Sequence, residues 1–268
     1  MRFDRTILLS LVLSGSFVSA QELGDLATDR PGFTSPSTTL EIGTLQTEQG
    51  LTFQAARQNG MKSLSVNVPQ ILMRFGLFKS LELRISNKGY SWQDQHVDSS
   101  SHGIAGGGDY GIGAKFRILD QTKTRPEVAV QGMYSIPLSG SPFSSGGHDP
   151  SFTLAAYKDL PGKFGMAVNY NAASVTDSRG RIASTGESVW LSRSVGPFSL
   201  FGETFRTTIG RCEGSQTVVD GGLFKGISKN MQIDLALGHT VAGEVPSWYA
   251  AFGVVVRSPR ALGAHLFR

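Results

Sequence analysis

The sequence predicts an all-β chain: a transmembrane antiparallel up-and-down β-barrel of about twelve strands, of the Gram-negative outer-membrane type. Three observations carry that expectation. Apolar residues recur with a period of two between residues 43 and 257, and helical periodicity is nearly absent. Candidate strands run about 9 to 13 residues, which suits a tilted strand crossing a bilayer and exceeds the usual water-soluble strand. Tight turns alternate with longer polar loops, which puts the turns and both termini on the periplasmic side.

Taken in order, residues 1–20 read as an export leader. Arg2 and Arg5 precede a mostly apolar stretch from Ile7 to Val18, and Val18-Ser19-Ala20 offers small residues for cleavage after Ala20. About twelve apolar residues are too few to cross a bilayer comfortably as a helix, and no later run is long enough. No cysteine lies near the cut, so no lipid anchor is expected. Residues 21–42 form a polar N-terminal segment on the periplasmic or lumenal side, 43–257 the barrel, and 258–268 a C-terminal tail.

Within the barrel, strands are expected at 43–55, 63–75, 79–90, 107–118, 126–137, 150–158, 162–173, 185–194, 197–207, 216–224, 229–239 and 246–257. The alternation is clearest where Leu81, Leu83 and Ile85 oppose Glu82, Arg84 and Ser86, and where Met231, Ile233, Leu235 and Leu237 oppose Gln232, Asp234, Ala236 and Gly238. Turns fall at Gly76–Lys79, Leu119–Arg125, Asp159–Lys163, Ser194–Pro197 and Gly226–Asn230; the longer loops are 56–62, 91–106, 138–149, 174–184, 208–215 and 240–245. Aromatic residues near strand ends suggest interfacial girdles: Phe53, Phe75, Phe78, Tyr90, Trp92, Tyr134, Tyr157, Phe164, Tyr170, Trp190, Phe224 and Trp248.

Composition agrees. The chain has 33 glycines and only 17% charged residues, and a formal charge of +4 is too small and dispersed to suggest a nucleic-acid partner. The single cysteine, Cys212, cannot close an internal disulfide. An exported chain without disulfides can instead be held by a closed hydrogen-bonded barrel.

In such a barrel the polar alternate positions face the lumen. That puts Glu48, Glu82, Arg84, Asp109, Lys115, Arg117, Gln131, Arg193, Glu203, Asp220 and Asp234 inside, with both signs of charge. They could line a water-filled path that selects solutes by charge, or form a salt-bridge network that fills a narrow barrel. Asp29 and Arg30 could fold into the periplasmic mouth and pair with lumen charges, or belong to a flexible leader. Loops 91–106 and 138–149 would limit access from the other end.

Signals for an enzyme are poor. Gly106-Gly107-Gly108-Asp109-Tyr110-Gly111 matches a dinucleotide fingerprint by letter but opens a strand, where that motif must open a helix. Neither a Gly-x-Ser-x-Gly elbow nor a His-Glu-x-x-His pair occurs. His96, His102 and His148 fall in expected loops and read as solvated. No catalytic residue, metal site or cofactor is expected, although a serine and histidine distant in sequence would escape this reading.

An ordered set of short motifs carries a family resemblance. These are Thr28-Asp29-Arg30-Pro31, Gly43-Thr44-Leu45-Gln46-Thr47-Glu48, Arg74-Phe75-Gly76-Leu77-Phe78 running into Leu81-Glu82-Leu83-Arg84, and Gly108-Asp109-Tyr110-Gly111-Ile112-Gly113-Ala114-Lys115. Later come Ser135-Ile136-Pro137, Phe201-Gly202-Glu203, Asp220-Gly221-Gly222 and Gln232-Ile233-Asp234-Leu235. Together the sequence resembles the outer-membrane family named for a "putative meta-pathway of phenol degradation", whose members are described as transporters. The resemblance implies passive movement of small solutes, hydrophobic or aromatic ones in particular, across the outer membrane of a Gram-negative bacterium. It implies outer-membrane lipid, small solutes and the barrel-assembly machinery as partners. The alternatives are a plugged structural or surface-binding barrel, then a lipid-acting outer-membrane enzyme, then a soluble β-sandwich. One departure stands out: the last strand, Phe252 to Arg257, is followed by Ser258-Pro259 and a tail in which Phe267 would have to replace the usual terminal aromatic.

Overall fold

In the computed structural model every described element is a strand, and the strands close into one antiparallel barrel. The structure describes residues 26–58, 60–97, 100–177, 180–210 and 214–258. The expected leader 1–20, Cys212 and the tail beyond residue 258 lie outside the described residues.

Fourteen strands follow in chain order: β1 (Leu45–Gln58), β2 (Met61–Phe78), β3 (Leu81–Asn87), β4 (Tyr90–Val97), β5 (Ser100–Gly107), β6 (Tyr110–Leu119), β7 (Glu127–Ile136), β8 (Pro150–Leu160), β9 (Phe164–Asp177), β10 (Gly180–Val195), β11 (Phe198–Ile209), β12 (Ser215–Ser228), β13 (Met231–Ala242) and β14 (Ser247–Ser258). They make twelve staves. β2 pairs with β3 in its second half and with β4 in its first half, so β3 and β4 form one stave broken at Lys88-Gly89. β5 and β6 form the next, broken at Gly108-Asp109. The two breaks lie side by side, and the backbone crosses them through Lys88 N to Asp109 O (3.1 Å) and Gly108 N to Gly89 O (2.6 Å). β1 pairs with both β2 and β14, which closes the cylinder, while β5, at the loop end, pairs with β4 alone among the described strands.

Side-chain parity gives the barrel an apolar exterior and a polar interior. Leu83, Ile85, Ile112, Phe116, Leu154, Val168, Leu191, Leu235 and Phe252 are exposed, while Gln46, Glu48, Arg74, Glu82, Lys115, Asn169 and Asp234 are buried. This inversion suits a chain surrounded by lipid, since in water so much apolar surface would drive association. No helix among the described residues is long and apolar enough to cross a membrane, so any crossing by these residues is made by strands.

Three expected loops are largely strand. Most of 91–106 continues as the β4–β5 hairpin, most of 174–184 extends β9 and β10, and within 56–62 β1 continues to Gln58 and β2 starts at Met61. These residues are polar on both faces, because above an apolar layer both faces of a hairpin meet water and period two disappears. Backbone pairing continues regardless of that signal. The girdle also needs correcting. Phe53, Tyr90, Trp92, Tyr134, Tyr170 and Trp248 are exposed, but Tyr157, Trp190 and Phe224 share the parity of buried Ala155, Ser188 and Asp220 and point inward.

Candidate functional site

Residues 26–44 enter from the end of the barrel that carries the short turns and lie inside it. Gly43 N donates to Gly76 O (2.8 Å) and Gly76 N donates to Thr44 O (3.0 Å), pinning the segment where β1 begins. Gly76 must be glycine there, since a Cβ would meet the Leu40 carbonyl oxygen at 2.9 Å.

On the β1–β6 side the lumen wall supplies three cations and two carboxylates, and the segment supplies the third. Arg74 grips Glu82 with two parallel bonds, Nε to Oε1 and Nη2 to Oε2, both 2.9 Å, and its Nη1 lies 3.2 Å from Glu48 Oε1. Arg84 Nη1 donates to Glu82 Oε1 at 2.6 Å. Asp29 completes the set: its carboxylate pairs with Arg84, and lies 3.3 Å from Arg74 Nη1 and 3.5 Å from Lys115 Nζ. Three negative and three positive groups therefore balance in a nearly water-free cluster, the condition under which buried charge is tolerated.

Burial opposes the charge on Asp29, but Arg84, Lys115 and Arg74 outweigh it and hold the carboxyl well below the ordinary aspartate range. Backbone bonds reinforce the cluster. Asp29 N donates to Glu48 Oε2 at 3.0 Å and Arg30 N to the same oxygen at 3.1 Å, while Lys115 Nζ donates to Pro36 O at 2.7 Å and Leu40 N to Glu82 Oε2 at 2.9 Å.

Arg30 reaches the other way round the wall, past β1 and β14 to β13, where its Nη2 lies 3.2 Å from Asp234 Oδ1. The guanidinium rests on Gly50 of β1 and Gly253 of β14; at either position a Cβ would overlap it. Further along, Phe33 N and Thr34 N each donate to Glu203 at 2.6 Å, and Phe33 stacks on Phe205 with centroids 4.4 Å apart. Ser37 and Thr38 hydroxyls donate to Glu127 Oε1 at 2.8 and 2.7 Å. Among the described ion pairs Glu127 also holds Arg117, at 3.3 Å. Glu203 faces Asp220 across the β11–β12 register, and Asp220 accepts the Tyr249 hydroxyl. Gln131 points inward between Lys115 and Thr153, and its Oε1 has no hydrogen-bond partner.

The other side of the segment does not fill the barrel. A cavity of about 1080 Å³ opens at the turn end, between the segment and the β8–β12 wall, where Tyr157, Ala167, Trp190, Ser192 and Phe224 line it opposite Thr34 and Pro36. The Trp190 ring lies 6.2 Å from Phe201 and 6.5 Å from Phe224, each tilted by 22°, so three rings form a shallow ladder along the wall.

At the opposite end the connection between β7 and β8 folds over the mouth. Asp109 accepts Leu138 N at 3.0 Å and Ser145 N at 2.9 Å, and the Ser141 hydroxyl bonds Gly107 O. Gly106 is small by need, since a Cβ would lie 2.7 Å from the Pro142 ring. Burial also opposes the charge on Asp149 in this loop. Bonds from Thr176 (hydroxyl 2.6 Å, backbone N 3.0 Å) outweigh it and hold the carboxyl below its usual range.

Ten of the eleven expected lumen residues thus face inward; Arg193 does not. It shares β10 parity with exposed Val189 and Leu191, so it faces outward. Charge alone suggested the lumen, but strand parity, readable from those neighbours, decides it. Arg74, central to the cluster, was missed although it is the lone cation in Ile71–Phe78. Glu127, Tyr249 and Asn169 were missed too. His96 and His102 fall on opposite faces of the β4–β5 hairpin, and no group of three metal-ligating side chains occurs among the described residues.

With this geometry in place, comparison with known proteins becomes informative. The sequence pattern of the family described as "Putative MetA-pathway of phenol degradation" matches residues 28–258. The chain belongs to that family. The match begins at the Asp29 anchor segment and ends with the last stave, so family membership spans segment and barrel together. No curated protein matches the chain. Among solved structures, it is similar to the COG4313 outer membrane channel from Pseudomonas putida F1, with TM-score 0.62 and 14% identity over 82% of this chain and 97% of that one. The β-domain of the Bordetella autotransporter BrkA has TM-score 0.54 and 9% identity over 80% of this chain and 99% of that one. The translocator domain of autotransporter NalP from Neisseria meningitidis has TM-score 0.51 and 11% identity over 80% and 88%. At such identities the likeness shows the fold: a twelve-stave barrel of the outer-membrane type.

Proposed function

We propose that the protein is an outer-membrane channel for passive passage of small solutes, closed at rest by its own N-terminal segment. The short turns and both barrel termini face the periplasm, and the outward apolar staves face lipid. The observation that carries the proposal is the cavity of about 1080 Å³, which lies between the segment and a wall of aromatic, hydroxyl and some charged side chains. Its size suits a small organic molecule. Trp190 and Phe224 offer ring faces, Ser192, Ser194 and Ser199 offer hydrogen bonds, and Lys79, Arg117, Asp159 and Arg257 add charges of both signs, a lining that can seat a neutral aromatic solute. The similar Pseudomonas protein being a channel supports the same reading. Assembly would use the barrel-assembly machinery that inserts proteins of this architecture.

The test is transport by the detergent-folded protein in bilayers and liposomes. Influx of a neutral aromatic alcohol should exceed that of a sugar of similar size, and conductance should rise when the segment is loosened. If neither the native protein nor a variant with a weakened segment passes ion or solute, the channel reading fails. The second reading, a permanently plugged barrel, would then stand; the full burial of Arg74, Lys115 and Glu82 is the observation that favours it.

A further inference from the structure

Arg193 and Lys225 are outward-facing cations set at the turn-end edge of the apolar band, one outward position inside its last apolar residues. On β10 the outward series is Val189, Leu191, Arg193, Val195, and on β12 it is Val219, Leu223, Lys225, Ile227. Val195 and Ile227 lie beyond the cations, toward the turns, and are 49% and 50% exposed. Each cation lies over a neighbour's ring: Arg193 Cζ is 4.9 Å from the Phe164 centroid, and Lys225 Nζ is 5.3 Å from that of Phe198. Neither takes part in the ion pairs of the described residues.

The strand register brings them together. Arg193 sits opposite Leu200, and Leu200 opposite Leu223, so β11 alone separates the cations and Lys225 lies two residues further along, roughly 12 Å away at the usual strand spacing and rise. Lys163 and Lys229, both exposed, stand in the adjoining turns. On the outward face of β9 to β13 the described carboxylate is Glu187, far up β10 and in register with Arg206. Four cations thus converge on one sector without an acid.

A cation at the edge of an apolar layer is costly unless an anion meets it there, and phospholipid phosphates occupy that depth. Arginine's planar fork matches a phosphate, and lysine adds a point charge. We propose that the outer face of β10–β12 at the turn end is a binding site for the headgroup of an anionic phospholipid. Arg193 and Lys225 hold the phosphate, while Phe164, Phe198 and Leu200 lie against the glycerol and upper acyl carbons. This rests on the membrane-barrel reading but not on conduction.

The experiment titrates phosphatidylglycerol and, separately, phosphatidylcholine into the folded full-length protein in neutral detergent and counts retained lipids by native mass spectrometry. The native protein should prefer phosphatidylglycerol, and R193Q/K225Q should bind it about twenty-five-fold more weakly, from about fivefold per cation. R206Q, on the same face at the loop half, should leave the preference unchanged. Heat-dependent gel mobility establishes that each variant is a folded barrel. Should the double variant not fold, the native protein's preference must still decline with added salt. A native protein without preference, or a folded double variant that keeps it, overturns the proposal. A native protein soluble without detergent would instead overturn the membrane reading beneath it.

Discussion

Replacing Asp29 by alanine tests the closure of the lumen most directly. Asp29 belongs to a cluster in which Asp29, Glu48 and Glu82 balance Arg74, Arg84 and Lys115. Its side chain is 12% exposed, and those of Arg74 and Lys115 are fully buried, so solvent screens these pairs little. Removing one partner of a buried pair costs about 3–5 kcal/mol, because the other charges stay buried without compensation. Here that cost falls on the docked state alone: once the segment leaves, water can reach the three cations. At 1.4 kcal/mol per factor of ten, the displaced population should rise about a hundredfold to several thousandfold. In planar bilayers D29A should show a higher open probability and larger mean conductance than the native protein. The double variant D29N/K115M restores the balance at two against two and should recover much of the closed state. If D29A conducts as the native protein does, or the double variant is more open than D29A, charge balance does not hold the segment.

The other expectations use the same apparatus. G50A and G253A place a methyl against the Arg30 guanidinium and should loosen the segment by about 1–3 kcal/mol, read as increased open probability, with R30A at least as open. D109A removes the acceptor for Leu138 N and Ser145 N, so the 137–149 loop should be cut faster by added protease while the barrel stays intact. The depressed titration of Asp29 fixes the sign of its pH effect: its contribution is fully present above an ordinary aspartate's 3.8 and is lost only as pH falls below that. Conductance should therefore be unaffected by this group between neutrality and about pH 5, and acid opening of D29N should lack the Asp29 component.

Most of the barrel was legible because lipid on one side and a polar lumen on the other impose period two on every stave that meets both. Met231–Leu237 and Leu81–Ser86 show this, and their parity holds without exception. Where that contrast ends, so does the signal. Trp92–His96 and Ile182–Thr185 pair as well as any strand but lie where both faces are polar. Arg193 failed for another reason. A charged side chain was assigned by its chemistry, when Val189 and Leu191 at the same parity had already fixed its side. Arg74 is the converse case, for the bulge at Val68–Gln70 breaks the phase of β2 and hides which face its cation takes.

The segment itself shows why a site is harder to read than a fold. Thr28–Pro36 has no periodicity, since each residue answers a different wall. Asp29 answers three cations, Arg30 answers Asp234 over two glycines, and Thr34 answers Glu203. Those partners lie far from it in sequence, so only the closed register assembles them. The register also explains where the grip is densest. Charges on β1, β2, β3 and β6 form the paired cluster, with Asp234, Glu203 and Glu127 adding single holds, whereas the β8–β10 wall meets the cavity with Tyr157, Ala167, Trp190 and Ser192, and with Asp159 at the end of β8. Loosening the charged half therefore releases the segment, while loosening the aromatic half should alter which solute is accepted. W190A should change solute preference at nearly unchanged open probability, and an equal change in both would show that the two walls are not separate functions.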